Sequence, residues 1–493
     1  MFKEILAKEE MKFNMLEKEV FKLVCMFGCM LIKYFLEKYD QKLLNSRDKH
    51  IYRNKGKRKN TIKTIMGEVE YKRTMYLVNG KYVYLLDEVL KINVEGKVSE
   101  NLVETALELA TSSKSYREAE ETLKNTTNAV LSHEAIRQIT ITNGEKIVER
   151  EKEEIKYLKK DQLIKGTKEI KALFEEADGL WINLQGKDRE NGLKRRKEEM
   201  KKKGKELYPK TKIKTELKLH VMYEGWKKGD SRHSLVNKKA IAGIMKPKEI
   251  KELREARIYQ QYDVDKIKLR VVNGDGAKWT KGITPKGGVY QKDAFHIQQE
   301  IVRDVPKEYR EQINKVLRNK EYKQIPAVIE RLKYEVGGEE KAVKKLEKLK
   351  SYLSSGLERY KEIATIPEAD DGIEYRNMGT QESQIFSFLK VRFCSGRKSF
   401  SLKGANALAK VCVAIKDKEF RIEDLETEIP IDTSVDEYIK EIENKIKKSK
   451  KEKIKTTEKK GKNYCKNVDL ENAPKFMRDI ARGIDLIDMK CSF

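Results

Sequence analysis

Three acidic residues lie far apart along the chain in local settings that suit metal binding. Asp178 lies in FEEADGLW, Asp275 in VVNGDGAKW and Glu382 in GTQES. Each aspartate is followed by glycine, which lets the backbone turn sharply just after the carboxylate. Carboxylates that converge from distant segments can hold two divalent cations about 3.5–4 Å apart, an arrangement that catalyses phosphoryl transfer. Because Asp-Gly is also a common turn pair, the motifs alone leave a purely structural interpretation open.

The segments around these acids predict a mixed α/β core. ALFEEADGLWINLQ is interpreted as a hairpin whose first strand carries Asp178, and the buried strand KIKLRVVN ends just before Asp275. Ligand sites in such sheets collect beyond the carboxyl ends of the strands. The intervening pattern predicts two strands (TELKLHVMY, SLVNKKAIAGI) and one helix (PKEIKELREARIYQQY). Three strands, a helix and a strand, with acids on the first and fourth strands, is the layout of a ribonuclease-H-like core.

Two further polar residues follow the next predicted strand, KGGVYQKDAFHI. Asp293 and His296 are expected at its end. His296 could orient DNA, hydrogen-bond a site carboxylate or support the fold. A supporting role is preferred, because the chain has only five histidines and this one adjoins an apolar strand.

The whole chain is predicted to be an α+β or α/β multidomain protein. Its expected parts are residues 1–100 (a long helix over 4–45 and a basic β-hairpin), 101–172 (a helix-turn-helix-like segment and a linker), 173–300 (first part of the core), 301–370 (an all-helical insertion), 371–420 (last part of the core, with Glu382) and 421–493 (a charged tail). Asn79-Gly80 is the hairpin signal, and Ser132 is the expected N-cap of the second helix of the pair. An ordinary antiparallel helix pair explains that second segment equally well.

The charge of the chain favours a polyanionic partner. Its 493 residues include 107 Lys and Arg against 80 Asp and Glu, a formal net charge of +27. Binding to phosphates releases condensed counterions, so double-stranded DNA is favoured over a membrane surface, although an AT-rich genome would also enrich lysine. The candidate DNA contacts lie in the hairpin, on the capped helix and beyond Glu382: Lys57, Arg58, Lys72, Arg73, Arg137, Gln138, Lys390, Arg392 and Arg397. A solvated helix face accounts nearly as well for the group beyond Glu382.

Cysteine spacing and hydropathy predict a soluble cytoplasmic protein. The six cysteines form no CxxC pair, which fits neither a zinc site nor a disulfide framework. The longest uninterrupted apolar stretch, residues 23–32, has ten residues, and a helix needs about 20 to span a bilayer.

Five motifs in order along residues 50–415 resemble bacterial insertion-sequence transposases of the ISLre-two type, which are related to the Mutator superfamily. The matching pieces are EADGLWI, NGDGAKW, DAFHI, GTQES and SFSLKGANALAK. One departure is Phe400, where members of that group usually have tryptophan.

The resemblance implies an Asp-Asp-Glu triad of Asp178, Asp275 and Glu382 on a ribonuclease-H-like fold with a helical insertion. It also implies that Asp293 and His296 form the family's Asp-x-x-His signature. We therefore expect a DNA transposase that uses Mg²⁺, with Mn²⁺ as a substitute, acts on insertion-sequence terminal repeats and target DNA, and forms a homo-oligomer on DNA near the nucleoid. The alternatives are a nuclease of the same fold that does not join DNA, and a non-catalytic DNA-binding regulator.

Overall fold

The computed structural model describes residues 12–92, 97–208, 211–337 and 339–417. All of them belong to the first of two units of the chain, Met1–Ile431. The second unit, Asp432–Phe493, and the predicted charged tail at 421–493 lie outside the described residues. Within the described ranges, no helix is both long enough and apolar enough to cross a membrane.

A long helix packs on a small antiparallel sheet at the start of the described chain. The elements are α1 (Phe13–Ser46), β1 (Arg53–Thr64), β2 (Gly67–Val78), β3 (Lys81–Val83) and α2 (Leu85–Val89). An apolar stripe of α1 contacts Val69 and Tyr71 of β2. The buried carboxylate of Asp40 on α1 accepts hydrogen bonds from the amide and hydroxyl of Thr74, at 2.8 and 2.7 Å. The helix is therefore fixed to the sheet by both apolar and polar contacts.

The predicted helix is confirmed from residue 13 onward, and residues 4–11 lie outside the described ranges. The basic hairpin is a three-stranded meander, because β1 and β2 pair through a turn between Thr64 and Gly67. The Asn79-Gly80 turn joins β2 to β3. Both of its residues have positive φ, 48° and 78°, as that turn type requires.

Three helices follow: α3 (Glu100–Ser112), α4 (Tyr116–Thr126) and α5 (His133–Leu158). Each is capped by a serine, and Ser132 accepts a hydrogen bond from the amide of Ala135 at 3.2 Å, as predicted. α5 extends to Leu158 and so includes the first part of residues 147–172, for which the sequence predicts a charged helix or a linker. Its Ile147 contacts Leu107 of α3 and Val411 near the end of the described chain, so the long helix connects this region to the core.

A six-stranded mixed sheet forms the centre of the described residues. The elements are β4 (Ala172–Leu184), β5 (Lys214–Tyr223), the small two-stranded ribbon β6 (Trp226–Lys228) and β7 (His233–Leu235), β8 (Lys239–Gly243), β9 (Leu269–Gly274), β10 (Val289–Lys292) and β11 (Ser399–Phe400). The order is β10-β9-β4-β5-β8, with β11 beside the end of β4. β5 runs opposite to the other four strands of that path.

The predicted hairpin around Asp178 is wrong, because β4 is one continuous strand of 13 residues. It pairs with β5 without interruption from Phe174 to Asn183. Gly179 makes no turn there. It leaves room for a side chain of β5, since a Cβ at Gly179 would lie 2.3 Å from Oε1 of Glu216.

Helices cover both faces of the sheet. They are α6 (Gly186–Lys202), α7 (Pro247–Gln261), α8 (Lys278–Gly282), then α14 (Gln381–Ile385), a π-helical turn (Phe386–Lys390), α15 (Val391–Phe393) and α16 (Leu402–Lys416). One face, with Phe174 and Leu180, packs against α14 to α16. The other face, with Ala177 and Val272, packs against Ile250 and Leu253 of α7. The structure is therefore a layered α/β core preceded by helical and antiparallel elements.

A helical insertion with its own apolar core separates β10 from α14. It comprises α9 (Ala294–Asp304), α10 (Arg310–Arg318), α11 (Ile325–Glu335), α12 (Glu340–Tyr352) and α13 (Tyr360–Ile363), with short 3-10 turns at Lys307–Tyr309 and Tyr322–Gln324. A further 3-10 turn, Val264–Lys266, lies outside the insertion, between α7 and β9. The Tyr352 hydroxyl donates to the carbonyl of Asp275 at 2.8 Å, and Nζ of Lys292 donates to that of Ser355 at 2.6 Å. The insertion therefore contacts the sheet beside Asp275.

The close packing of α5 against α16 can be tested by its effect on stability. A Cβ on Gly144 of α5 would lie 2.5 Å from Cα of Ala407 in α16. We expect Gly144→Ala to lower the free energy of unfolding by about 1–3 kcal/mol, because overpacking forces backbone shifts. Gly282→Ala is the control, since a Cβ there meets no atom within 4 Å. Urea denaturation measures both, and an unchanged midpoint for Gly144→Ala would show that α5 and α16 are not packed this closely.

Candidate metal centre

Three neighbouring parallel strands carry aspartates at the same level of the sheet: Asp178 lies within β4, Asp275 just after β9 and Asp293 just after β10. The last residues that pair across β4, β9 and β10 are Ala177, Gly274 and Lys292. The next residue along each chain segment is an aspartate, namely Asp178, Asp275 or Asp293. Because side chains alternate between the faces of a strand, the strand register directs these three carboxylates to one face.

Helix α14 brings Glu382 to this face. Asp178, His296 and Glu382 each offer one ligand atom, and these atoms lie within 4.8 Å of one another. Nε2 of His296 is 3.8 Å from Oδ2 of Asp178. The structure thus gathers residues from β4, α9 and α14 into one group with the donor atoms and spacing of a cation site.

Asp275 lies beside this group but is not part of it. Its Oδ1 accepts hydrogen bonds from the amide of Ala277 at 2.8 Å and from Oγ1 of Thr280 at 3.1 Å. These bonds stabilise the turn into α8. The Asp275 carboxylate is nevertheless close enough that its charge raises the pKa of Asp178.

Asp178 has the most perturbed carboxylate of the site. Burial raises its pKa to about 7, and the charges of Asp275 and Glu382 add to this effect. His296 and a hydrogen bond from the amide of Gly179, at 2.6 Å, act in the opposite direction. Asp178 therefore exchanges its proton near neutral pH, where a cation would compete with that proton for the same oxygen atoms.

Asp293 fixes the orientation of His296. Its Oδ2 lies 3.2 Å from Nδ1 of His296, and its Oδ1 accepts a bond from Nδ2 of Asn273 at 3.1 Å. Burial alone would raise the pKa of Asp293, but the bonds from His296 and Asn273 hold it below its usual range. Burial likewise lowers the pKa of His296, yet Asp293 and Asp178 outweigh it and raise that pKa overall.

The predicted position of His296 at a strand end needs correction. β10 stops at Lys292, and Asp293 is the N-cap of α9, accepting bonds from the amides of Phe295 and His296. His296 therefore lies in the first turn of a helix, where its Nε2 faces Asp178. It belongs to the group of possible cation ligands and faces the Asp178 carboxylate, which is one of the roles that the sequence left open for it.

Lys390, predicted to contact DNA, pairs with the candidate site instead. Its Nζ is 2.6 Å from Oε2 of Glu382. Lys390 is the last residue of the π-helical turn that follows α14, and this turn places its side chain near Glu382. Such turns occur frequently at functional sites. A cation that binds Glu382 would therefore compete with Lys390.

The other predicted DNA contacts divide into exposed and buried groups. Lys57, Arg58, Lys72 and Arg397 are exposed, and Arg137 and Gln138 lie on α5, where both bond Glu134. Arg73 is buried, pairs with Asp87 and stacks over Tyr84. Arg392 is buried and donates to the carbonyls of Ala110 and Lys114. Arg73 and Arg392 hold parts of the fold together, so we do not assign them to a DNA surface.

Sequence reasoning missed two buried residues beside the site, Glu176 and Gln381. Glu176 accepts hydrogen bonds from Gly379 and Thr380, and the Gln381 amide donates to carbonyls of β4 and β9. Gln381 lies inside GTQES, next to the predicted ligand. Glu176 lies two residues before Asp178 and so shares its face of β4, a relation that strand alternation in the sequence could have revealed.

The raised pKa of Asp178 generates a test in which stability depends on pH. In metal-free buffer between about pH 4 and pH 7, the Asp178 carboxyl keeps its proton in the folded state but has lost it in the unfolded state. The free energy of unfolding therefore falls as pH rises through this window. The displacement from 3.8 to about 7 corresponds to at most about 4 kcal/mol. We expect Asp178→Asn to be more stable than the wild type at pH 8 and equally stable near pH 4.

Thermal unfolding with a chelator, scanned over pH, measures this difference. Asp371→Asn, at an exposed acid in the segment before Glu382, is the control and should leave the pH profile unchanged. A wild type that gains stability between pH 5 and pH 7 relative to Asp178→Asn would contradict the assigned environment of Asp178.

Comparison with known proteins places these residues within a shared region. A family model described as Uncharacterised protein family (UPF0236) matches residues 6–426. A UPF0236 protein of Caldanaerobacter subterraneus subsp. tengcongensis is 27% identical over 383 residues, 75% of this chain and 70% of the relative. Two others from the same organism are each 26% identical, over 427 and 428 residues, 84% of this chain and 80% of each relative. The names of these relatives identify the family but state no activity.

Proposed function

This chain belongs to the uncharacterised protein family UPF0236, and we propose that it is a divalent-metal-dependent DNA transposase. Its catalytic residues would be Asp178, Asp275 and Glu382, with His296 and Asp293 in support. The observation that carries the proposal is the convergence of acids from three separate segments at one end of the sheet. A two-metal phosphoryl-transfer site requires this kind of convergence.

The order of the strands supports a ribonuclease-H-like core. In chain order the five strands are β4, β5, β8, β9 and β10, and their spatial order is fifth, fourth, first, second, third, with only the second antiparallel. Asp178 lies on the first strand, Asp275 directly follows the fourth, and Glu382 comes from a later helix. The helical insertion between the second and third acids agrees with the sequence resemblance.

The donor set fits hard divalent cations. Carboxylate oxygens of Asp178 and Glu382 would hold an ion, and Asp275 beside them offers a further carboxylate. Mg²⁺ prefers such oxygen ligands, and Mn²⁺ accepts the same set. Bound cations would supply an activated nucleophile and stabilise the leaving oxygen of an in-line displacement.

The protein's own residues prepare the site for this chemistry. His296 faces Asp178, and Asp293 holds the imidazole in place, so the position of the Asp178 carboxylate is fixed before substrate binds. Lys390 pairs with Glu382. Once Glu382 is engaged elsewhere, the ammonium group of Lys390 is released at the edge of the site, where a DNA phosphate would be its partner.

The names of the relatives support mobility. One relative's name joins eleven gene designations of a single genome, and another joins four. A gene that encodes the enzyme that moves it is expected to accumulate in many copies in one genome. A housekeeping nuclease or a regulator has no such reason to accumulate.

The N-terminal sheet supports DNA binding. Exposed Lys57 and Arg58 on β1 and Lys72 on β2 lie on adjacent paired strands. By this register Arg58 lies opposite Arg73 and Lys59 opposite Lys72, so Lys57 and Lys72 share one face of the sheet and Arg58 lies on the other. Cations on one face contact phosphates and fix the protein on a duplex without reading its sequence. The net charge of +27 agrees with a polyanionic partner.

The central test is strand transfer with Mg²⁺ and the DNA ends that flank the gene. We expect the wild type to cleave and join these ends, and Asp178→Ala, Asp275→Ala and Glu382→Ala each to abolish both steps, because each removes a carboxylate of the site. All three should still bind DNA, since binding depends on other residues. Asp371→Ala, which removes an exposed acid, is the control and should remain active.

Each other outcome has a definite meaning. Cleavage without joining would replace the transposase by a nuclease. DNA binding with neither reaction would leave a regulator whose acids are structural. Undiminished joining by Asp275→Ala would contradict the assignment of the catalytic residues.

The basic sheet generates a prediction about salt dependence. The double variant Lys57→Gln/Lys72→Gln, which removes two exposed cations from one face of the sheet, should weaken DNA binding equally for all sequences. It should also flatten the slope of log affinity against log salt by about 0.9 for each phosphate that the variant no longer neutralises. Arg318→Gln removes an exposed cation that pairs with Glu311 in the helical insertion, and should leave the slope unchanged. A slope unaffected by the double variant would remove the N-terminal sheet from the DNA interface.

A further inference from the structure

A buried carboxylate on β4 holds the chain segment that leads into Glu382. Glu176 is 2% exposed and lies two residues before Asp178. It accepts hydrogen bonds from the amide of Thr380 at 2.9 Å, from the hydroxyl of Thr380 at 2.9 Å and from the amide of Gly379 at 3.4 Å. The Tyr223 hydroxyl on β5 donates to the same carboxylate at 2.6 Å. One side chain therefore fixes where α14 begins relative to the strand that carries Asp178.

A buried amide joins the same helix to two strands. Gln381 is 2% exposed, and its Nε2 donates to the carbonyl of Ala177 at 3.3 Å and to that of Asn273 at 2.6 Å. Ala177 directly precedes Asp178, and Asn273 lies two residues before Asp275. A single side chain next to Glu382 therefore bonds both strands that carry the aspartates.

The cost of this arrangement argues that it serves the site. Oε1 of Gln381 is buried and has no hydrogen-bond partner among the described residues. A buried polar atom without a partner is unfavourable. The reverse orientation of the amide would place that oxygen against two carbonyl oxygens, so the donor bonds decide the orientation.

We propose that Glu176 and Gln381 are positioning residues that hold Glu382 in register with Asp178 and Asp275, and so set the affinity of the site for a divalent cation. The inference rests on the proposed metal site. Glu382 needs such support because the like charges of the site repel one another. Partners that orient metal ligands without touching the metal are known to control affinity.

The test is Mn²⁺ binding by the full chain without DNA, followed by electron paramagnetic resonance of the unbound ion. This readout is independent of catalysis. Glu176→Gln replaces one of the two acceptor oxygens by an amide group that cannot accept from the Thr380 amide, and Gln381→Met keeps the volume but removes both donor bonds. We expect each variant to bind Mn²⁺ about 10- to 100-fold more weakly than the wild type.

Two controls separate positioning from general destabilisation. Glu224→Gln alters another buried carboxylate that accepts from a tyrosine hydroxyl, that of Tyr262 at 2.9 Å. Ile385→Val removes a buried methylene from α14 itself. Both should lower stability and leave Mn²⁺ affinity unchanged.

A milder variant keeps the test decisive if Glu176→Gln or Gln381→Met does not fold. Thr380→Val removes only the hydroxyl donor to Glu176 from a half-exposed residue, and we expect a severalfold loss of affinity.

The outcomes separate this inference from the proposed function. Wild-type protein that binds no Mn²⁺ would overturn the proposed metal site itself. Wild-type binding that survives unchanged in Glu176→Gln, Gln381→Met and Thr380→Val would overturn only the positioning role. Equal losses in the variants and in both controls would also overturn it, because stability alone would then explain the result.

Discussion

Repulsion among carboxylates is the constraint on which the candidate site depends. Asp178, Asp275 and Glu382 carry like charges in a partly buried region, and burial makes the charge of Asp178 costly enough to raise its pKa to about 7. Without opposing contacts these groups would move apart. Lys390 supplies positive charge beside Glu382, and the imidazole of His296 faces Asp178, while hydrogen bonds to the backbone supply position.

The fold meets this constraint through strand register. Parallel pairing of β4, β9 and β10 sets three aspartates at one level, Asp178 within its strand and Asp275 and Asp293 in the first position beyond theirs. The opposite face of β4 carries a separate buried ion cluster, in which Glu175 pairs with Arg254, Arg270 and His220. Charges on that face are matched, whereas those on the site face include more carboxylates than described cationic partners. This contrast supports the proposal that the site face binds a cation.

The sequence predicted those features that depend on local pattern. The strand before Asp275, the helix Pro247–Gln261, the Ser132 cap and the helical insertion follow from periodicity and capping chemistry. Features set by tertiary contacts were predicted wrongly or missed. Gly179 signals a turn in sequence but provides room for Glu216 in the sheet. Arg73 and Arg392 are basic residues of the kind that contact DNA, yet both are buried in the folded chain. Their burial depends on tertiary contacts that the local sequence does not indicate.

The most direct measurement is a crystal structure of the protein soaked in Mn²⁺, with anomalous scattering data collected to locate the ion. The account predicts anomalous peaks in contact with Asp178 and Glu382, with Asp275 turned toward them and Lys390 displaced from Glu382. Peaks confined to other acidic residues, or clear density for Lys390 still paired with Glu382 at saturating Mn²⁺, would contradict it.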